Sequence, residues 1–196
     1  MDKLESNIQH LRSVAESSNE AARLEVIKYT IAIQAFARNN RVKQAHHLLL
    51  EMASLYKKGD KDYRMDLKVF HAVLSAWSRF SPAGIAVDRA SALIGRLWEL
   101  NKINKRLKPS AQTYNYLLFC LKNDKQPRRA QGVLDEMKDF AAEDLMEAPT
   151  ATSYGVVLDA WHRSMDPCKN AKITRLTQEC IARFGTVPSN NNSSIN

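Results

Sequence analysis

Glycine and proline are scarce in this chain, at six of each in 196 residues. Sandwiches and barrels need a turn about every eight to twelve residues, so this little punctuation, with few alternating β-branched runs, argues against them and favours an all-helical protein. The three cysteines, Cys120, Cys168 and Cys180, are odd in number and widely spaced, with no Cys-x-x-Cys. Neither a disulfide framework nor a zinc site is signalled, and reduced thiols are expected. No apolar run reaches the roughly 18 residues needed to span a bilayer, so no membrane partner is expected. The N-terminus, MDKLESNIQHLRSVAESSNE, carries acids and lacks both an apolar signal core and the Arg-rich, acid-poor make-up of a transit peptide. The expectation is either a protein that is not exported to an organelle or a chain without its native N-terminus.

Catalytic and metal-binding patterns are also missing. His46 and His47 are adjacent and point about 100° apart on a helix, so they cannot chelate one metal together. Asp159 and His162 share a face at i, i+3, yet no further ligand or nucleophile recurs nearby, and an exposed pair is expected. No Gly-rich loop is present to cradle a phosphate. No enzyme activity, cofactor, metal or small-molecule substrate is expected.

What the chain does have is amphipathic helix, repeated. Tyr114, Leu117, Leu118 and Leu121 fall at i, i+3, i+4 and i+7; Lys122 to Arg129 is polar; Ala130, Val133, Leu134 and Met137 then repeat the spacing. A lone hairpin of this kind cannot bury both apolar stripes, and the chain supplies neighbours. Tyr29, Ala32, Ile33 and Phe36 precede Ala45, Leu48, Leu49 and Met52. Phe70, Val73, Leu74 and Trp77 precede Ala90, Leu93, Ile94 and Leu97. Tyr154, Val157, Leu158 and Trp161 open a fourth copy, whose second helix carries Ile173, Leu176, Cys180, Ile181 and Phe184 in a shifted register.

The aromatics that open the first helices, Tyr29, Phe70, Tyr114 and Tyr154, lie 41, 44 and 40 residues apart. Six residues after each comes a small residue, Ala35, Ala76, Cys120 and Ala160, and one residue later a large one, Phe36, Trp77, Leu121 and Trp161. Four copies in the same order make a repeat array. Its units run over about 22–66, 67–110, 111–150 and 151–189 within residues 20–189. Residues 1–18, with Leu4, Ile8, Leu11, Val14 and Ala15, are expected to form a capping helix or a partial repeat, and 190–196 a disordered tail. The spacing puts a basic connector at Asn101 to Lys108 and carries the third unit's second helix to about Asp144. Trp77 and Trp161 lie in the core stripe and are read as packing.

Thr113-Tyr114-Asn115-Tyr116-Leu117-Leu118, Arg129-Ala130 to Glu136-Met137, and Lys108-Pro109-Ser110 resemble the pentatricopeptide repeat. The Trp-x-x-Leu-Gly-x-x-Tyr helix of tetratricopeptide repeats is not seen. The resemblance covers about Ala22 to Ser189 and implies an α-α superhelix, a right-handed solenoid of helix-turn-helix repeats with its first helices lining the concave face. It also implies single-stranded RNA as partner, one base read per repeat by two or three side chains. Nuclease domains found in some such proteins need a cluster of acids that this chain lacks. The setting implied is organellar RNA processing, stability or translation, in a mitochondrion or plastid.

Carried over residue by residue, the base readers are Thr30, His71, Asn115 and Gly155. Their partners are the last residues of the units, Asp66, Ser110, Thr150 and Ser189, three of which follow proline. Thr30 with Asp66 resembles a guanine-reading pair, and Asn115 with Thr150 a pyrimidine-reading pair. Gly155 has no side chain to read with, and His71 with Ser110 departs from the pattern. The wedging positions, three before each reader, are Ile27, Lys68, Gln112 and Thr152, of which only Ile27 is the usual aliphatic group.

Charge gives a second indication. The formal net charge is +8, as a polyanionic partner would favour. Eight residues beyond each reader lie Arg38, Arg79, Asn123 and Arg163, roughly 12 Å along the helix, where repeated cations would contact phosphate. The same arginines would also suit the helix C-terminal carbonyls and dipole. Lys102, Lys105, Arg106, Lys108, Arg128 and Arg129 are further anion candidates. The alternative function is a scaffold for protein partners on the same concave surface.

Overall fold

In a computed structural model, residues 19–57, 65–80 and 83–186 are described. Among them are eight α-helices and no strand. These are α1 (Asn19–Arg38), α2 (Val42–Lys57), α3 (Leu67–Ser78), α4 (Ala83–Ile103), α5 (Ala111–Asn123), α6 (Pro127–Ala142), α7 (Ala151–His162) and α8 (Lys169–Phe184), with a 3-10 turn at Lys105–Leu107 between α4 and α5. The N-terminal helix expected at 1–18, Ser189 and the tail at 190–196 lie outside the described residues.

The helix boundaries follow from local chemistry. Asp66 caps α3 by accepting from the Lys68 amide. Ser110 and Thr113 form a capping box at the start of α5, as Thr150 and Ser153 do at α7. Each such cap satisfies amides that the helix itself cannot. Pro127 opens α6 at a position where its missing N–H costs nothing.

The turns inside the first and third hairpins are closed in the same way. Asn40 and Lys125 stand at equivalent repeat positions with φ of 60° and 54°. The amide after each reaches back to the helix, Arg41 to the Phe36 carbonyl at 2.9 Å and Gln126 to the Leu121 carbonyl at 3.0 Å. This is the left-handed helix ending that ties off free carbonyls. Asp144, with φ 57°, ends α6 likewise through the Leu145 amide on the Phe140 carbonyl at 2.8 Å, so that helix stops at Ala142, short of the expected Asp144.

The connector expected over Asn101 to Lys108 is largely helical. Residues 101–103 continue α4, and the 3-10 turn follows, capped by Asn104 on the Arg106 amide at 3.1 Å. The cause is apolar: Leu100 carries the stripe of Leu97 one turn further, and both it and Leu107 are fully buried.

Contacts gather the chain into two compact units, Met1–Phe80 with Gly95–Lys108, and Ser81–Ile94 with Pro109–Asn196. In the first, α1 packs on α2 and α3, and α2 on α3. Its interior holds Ile33, Phe36, Leu49, Met52, Phe70, Leu74 and Trp77. In the second, α5 packs on α6 and α7, α6 on α7, and α7 on α8. Leu118, Leu121, Leu134, Met137, Val157 and Trp161 fill it. Burying each such side chain stabilises the fold by about 1.5–3 kcal/mol, so truncating Leu118 to alanine would cost about 2–5 kcal/mol. In α8 the shifted register buries Leu176 and Cys180, while Ile181 stays 47% exposed.

Candidate nucleic-acid interface

In the first compact unit, the expected reader Thr30 is half-buried on α1, and its hydroxyl donates to the Val26 carbonyl at 2.8 Å. A hydroxyl has one proton, so toward a ligand Thr30 can only accept. Asp66, its expected partner, is exposed at the start of α3 with one carboxylate oxygen on the Lys68 amide at 3.1 Å. Carboxylates accept only. This pair therefore presents acceptors. His71, on α3, is half-buried; burial pushes its pKa down, against the pull of the Asp66 charge. Ile27 and Lys68, expected as wedges, are both exposed, Ile27 by 56% and beside the equally bare Ile31.

In the second unit, Ser110 and Thr150 are the caps of α5 and α7. Asn115 lies on α5 and is 8% exposed, and its buried amide is satisfied at Oδ1, which accepts from Ser153 Oγ at 2.7 Å. Ser153 is in turn 3.2 Å from Thr150 Oγ1. Asn115 and Thr150, which sequence pairs as reader and partner, are thus joined through a hydroxyl that sequence reasoning missed. The signal was present: Thr150-x-x-Ser153 and Ser110-x-x-Thr113 have the spacing of a capping box. Gly155 lies in α7, and Gln112 and Thr152 are exposed at the first turns of α5 and α7. Gln112 holds the Tyr116 hydroxyl at 3.2 Å.

The arginines expected at phosphate are exposed but differ in their neighbours. Arg38 ends α1. Arg79 is the C-cap residue of α3, closing it through its backbone amide, while its guanidinium donates to Ser75 Oγ at 3.1 Å. Arg163 closes α7 likewise, and its guanidinium pairs with Asp159 at 3.1 Å. Asp159 also holds Lys122 at 3.3 Å and is only 19% exposed, so it does not form the exposed pair expected with His162, whose ring meets the Leu158 carbonyl.

Among the other basic candidates, Lys102, Lys105, Arg106 and Lys108 are exposed. Arg128 is held by Asp166 at 2.6 Å, which keeps the Asp166 carboxyl below its ordinary pKa, and Arg129 donates to Gln126 Oε1 at 2.7 Å. Among the described residues no group of three His, Cys, Asp or Glu is placed to hold a metal ion, and no helix is long and apolar enough to cross a membrane.

No curated protein matches the chain. The family model described as PPR repeat matches residues 28–55, which span most of α1 and α2, and residues 112–140, which span α5 and α6. PPR repeats characterise a helical-repeat family of RNA binders. Residues 28–55 and 112–140 are therefore two pentatricopeptide repeats, and the chain is an all-helical repeat protein that carries them.

Proposed function

We propose that this protein binds single-stranded RNA through its first helices and serves organellar RNA processing, stability or translation, without catalysing a reaction itself. The organellar setting rests on the repeat family alone. The observation that carries the RNA reading is the hydrogen-bonded link from Thr150 through Ser153 to Asn115, which joins the expected base reader to its expected partner across 35 residues of sequence.

Two further observations support it. All four wedging positions, Ile27, Lys68, Gln112 and Thr152, are exposed. The two matching pairs also differ in polarity as their expected bases require. Thr30 and Asp66 offer acceptors, which suit the N1–H and N2–H donors of guanine. Asn115 offers an amide nitrogen beside the Thr150 oxygen, which suits the mixed edge of a pyrimidine. With about four repeats the footprint is about four bases, so sequence-selective affinity is modest.

Fluorescence anisotropy with a short labelled RNA at low and moderate salt tests the proposal. Binding that weakens steeply with salt is the expected result, because each neutralised phosphate releases counterions. No binding even at low salt would sink it and leave a protein-binding scaffold as the reading.

A further inference from the structure

Ser153 is completely buried, yet it makes more hydrogen bonds than a helix cap needs. Its Oγ accepts from the Thr150 amide at 3.1 Å, and its own amide approaches Thr150 Oγ1 at 3.4 Å; these two contacts are the capping box. The third contact leaves the helix altogether, to Asn115 Oδ1 on α5 at 2.7 Å. A hydroxyl carries a single proton. An amide oxygen has none, so the Ser153 proton lies on the bond to Asn115. In the 3.2 Å contact between the two hydroxyls, Thr150 must then be the donor.

The direction of all three groups follows: Thr150 gives to Ser153, and Ser153 gives to Asn115. Thr150 Oγ1 has spent its proton and toward any further group can only accept, on a residue that is exposed. Asn115 has spent its oxygen on Ser153, which leaves the two N–H groups of its Nδ2 for another partner, on a side chain that is 8% exposed. Chained hydrogen bonds polarise one another, and a buried chain of this kind resists reversal.

We infer that Ser153 is a positioning residue: it locks the Asn115 amide with Nδ2 toward the ligand and turns Thr150 into an acceptor, so that this repeat meets a nucleobase with one fixed donor and one fixed acceptor. The inference rests on the RNA-binding reading above for its ligand, but the orientation of the amide is a property of the free protein. Thr113, buried at the equivalent position of α5 and forming the same box with Ser110, shows that a threonine fits such a site. Ser153→Thr is therefore the conservative replacement, and Ser153→Ala removes the hydroxyl.

The first measurement is side-chain amide relaxation of Asn115 by NMR in the RNA-free protein. An ordered amide is expected in the parent and in S153T, with the order parameter falling below about 0.6 in S153A. An Asn115 amide that stays ordered in S153A overturns the inference, whatever that variant does to stability. The second is competition between uridine or cytidine homopolymers and an adenosine homopolymer of the same length. S153A should cut the pyrimidine preference about three- to tenfold, the range for one lost hydrogen bond. S153T should restore it, and Asn115→Asp, which keeps the acceptor for Ser153 but lacks the amino group, should lose it. If S153A loosens the amide but S153A, N115D and the parent all share one base preference, the base-contact reading fails while the oriented amide stands, so the two failures are told apart.

Discussion

The indole Nε1 of Trp77 donates to Nδ1 of His46 at 3.0 Å, with the two rings edge to face and their centroids 5.6 Å apart. Trp77 turns its ring toward the helix immediately before its own, the second helix of the preceding hairpin, so this one bond ties α2 to α3 inside the first compact unit. His46 is 7% exposed and Trp77 2%. Replacing His46 by alanine leaves a buried indole N–H without its acceptor, which should cost about 1–3 kcal/mol before any loss of packing. His46→Gln, which can still accept, should recover part of that. Urea unfolding of the two variants checks the order; equal midpoints would show that the bond contributes nothing.

The second compact unit has the same architecture without the bond. Gln131 follows Ala130 as His46 follows Ala45, and Trp161 follows Ala160 as Trp77 follows Ala76. Trp161 Nε1 and Gln131 Oε1 are both buried with no hydrogen-bond partner. Gln131→His, borrowing the residue from the first repeat, should raise stability by about 1 kcal/mol, the net worth of one hydrogen bond. Thermal or urea unfolding measures it, and an unchanged or lowered midpoint would show that the two sites are not interchangeable.

The cysteines should separate sharply by reactivity. Cys120 is buried, and burial pushes its thiol up to about 12, while Cys180, also buried, is raised by the same cause and directs its Sγ to the Thr186 carbonyl. Cys168 is exposed. Since the thiolate is the reactive form, Ellman's reagent at pH 8 should titrate one thiol quickly in the native protein and all three only after denaturation. Mass spectrometry of the labelled peptide should place the fast site at Cys168.

Acidification should destabilise the fold through His71. Its folded pKa is lowered by burial, with Asp66 opposing, so between the unfolded value near 6.5 and the folded value the unfolded chain binds more protons. Stability is then intact above the unfolded pKa and declines as the pH falls through it toward the folded one. His71→Gln should flatten this part of the pH–stability curve. An unchanged slope from pH 7 downward in the variant would show that other groups carry it.

If RNA is bound, the arginines should not contribute equally. Each phosphate contact on a single strand adds about 0.7 to the slope of log affinity against log salt. Arg38→Ala and Arg79→Ala should each lower the slope by about that much. Arg163 already answers to Asp159, so Arg163→Ala should change it less, and Asp159→Asn should raise affinity by releasing both Arg163 and Lys122. Anisotropy across a salt series compares them.

Much of this was readable in the sequence because helical repeats encode themselves in spacing. Tyr29, Phe70, Tyr114 and Tyr154, each followed six and seven residues on by a small and a large residue, set four first helices in the order observed. What could not be read was any bond whose ends lie in different helices. His46 and Trp77 stand 31 residues apart, and nothing in either helix says that one will meet the other. The link from Ser153 to Asn115 spans 38 residues in the same way. The extension of α4 through 103 is hidden for a smaller reason, since the polar run after Leu100 reads as a connector and only one further leucine continues the stripe. The pairing of Arg163 with Asp159 is open to view at i, i+4 spacing, but His162 at i+3 is an equally near candidate for the same acid in the sequence.

Asp66, Ser110 and Thr150 each begin a helix, and each is also the residue expected to help choose a base. Joint and letter are therefore written in the same side chain. Only a handful of residue types, chiefly serine, threonine, aspartate and asparagine, start helices well, so the vocabulary open to these positions is set by folding before any ligand is met. An engineer who reassigns the preference of such a repeat with a residue from outside that short alphabet would be loosening the hinge pin of the next helix with the same stroke.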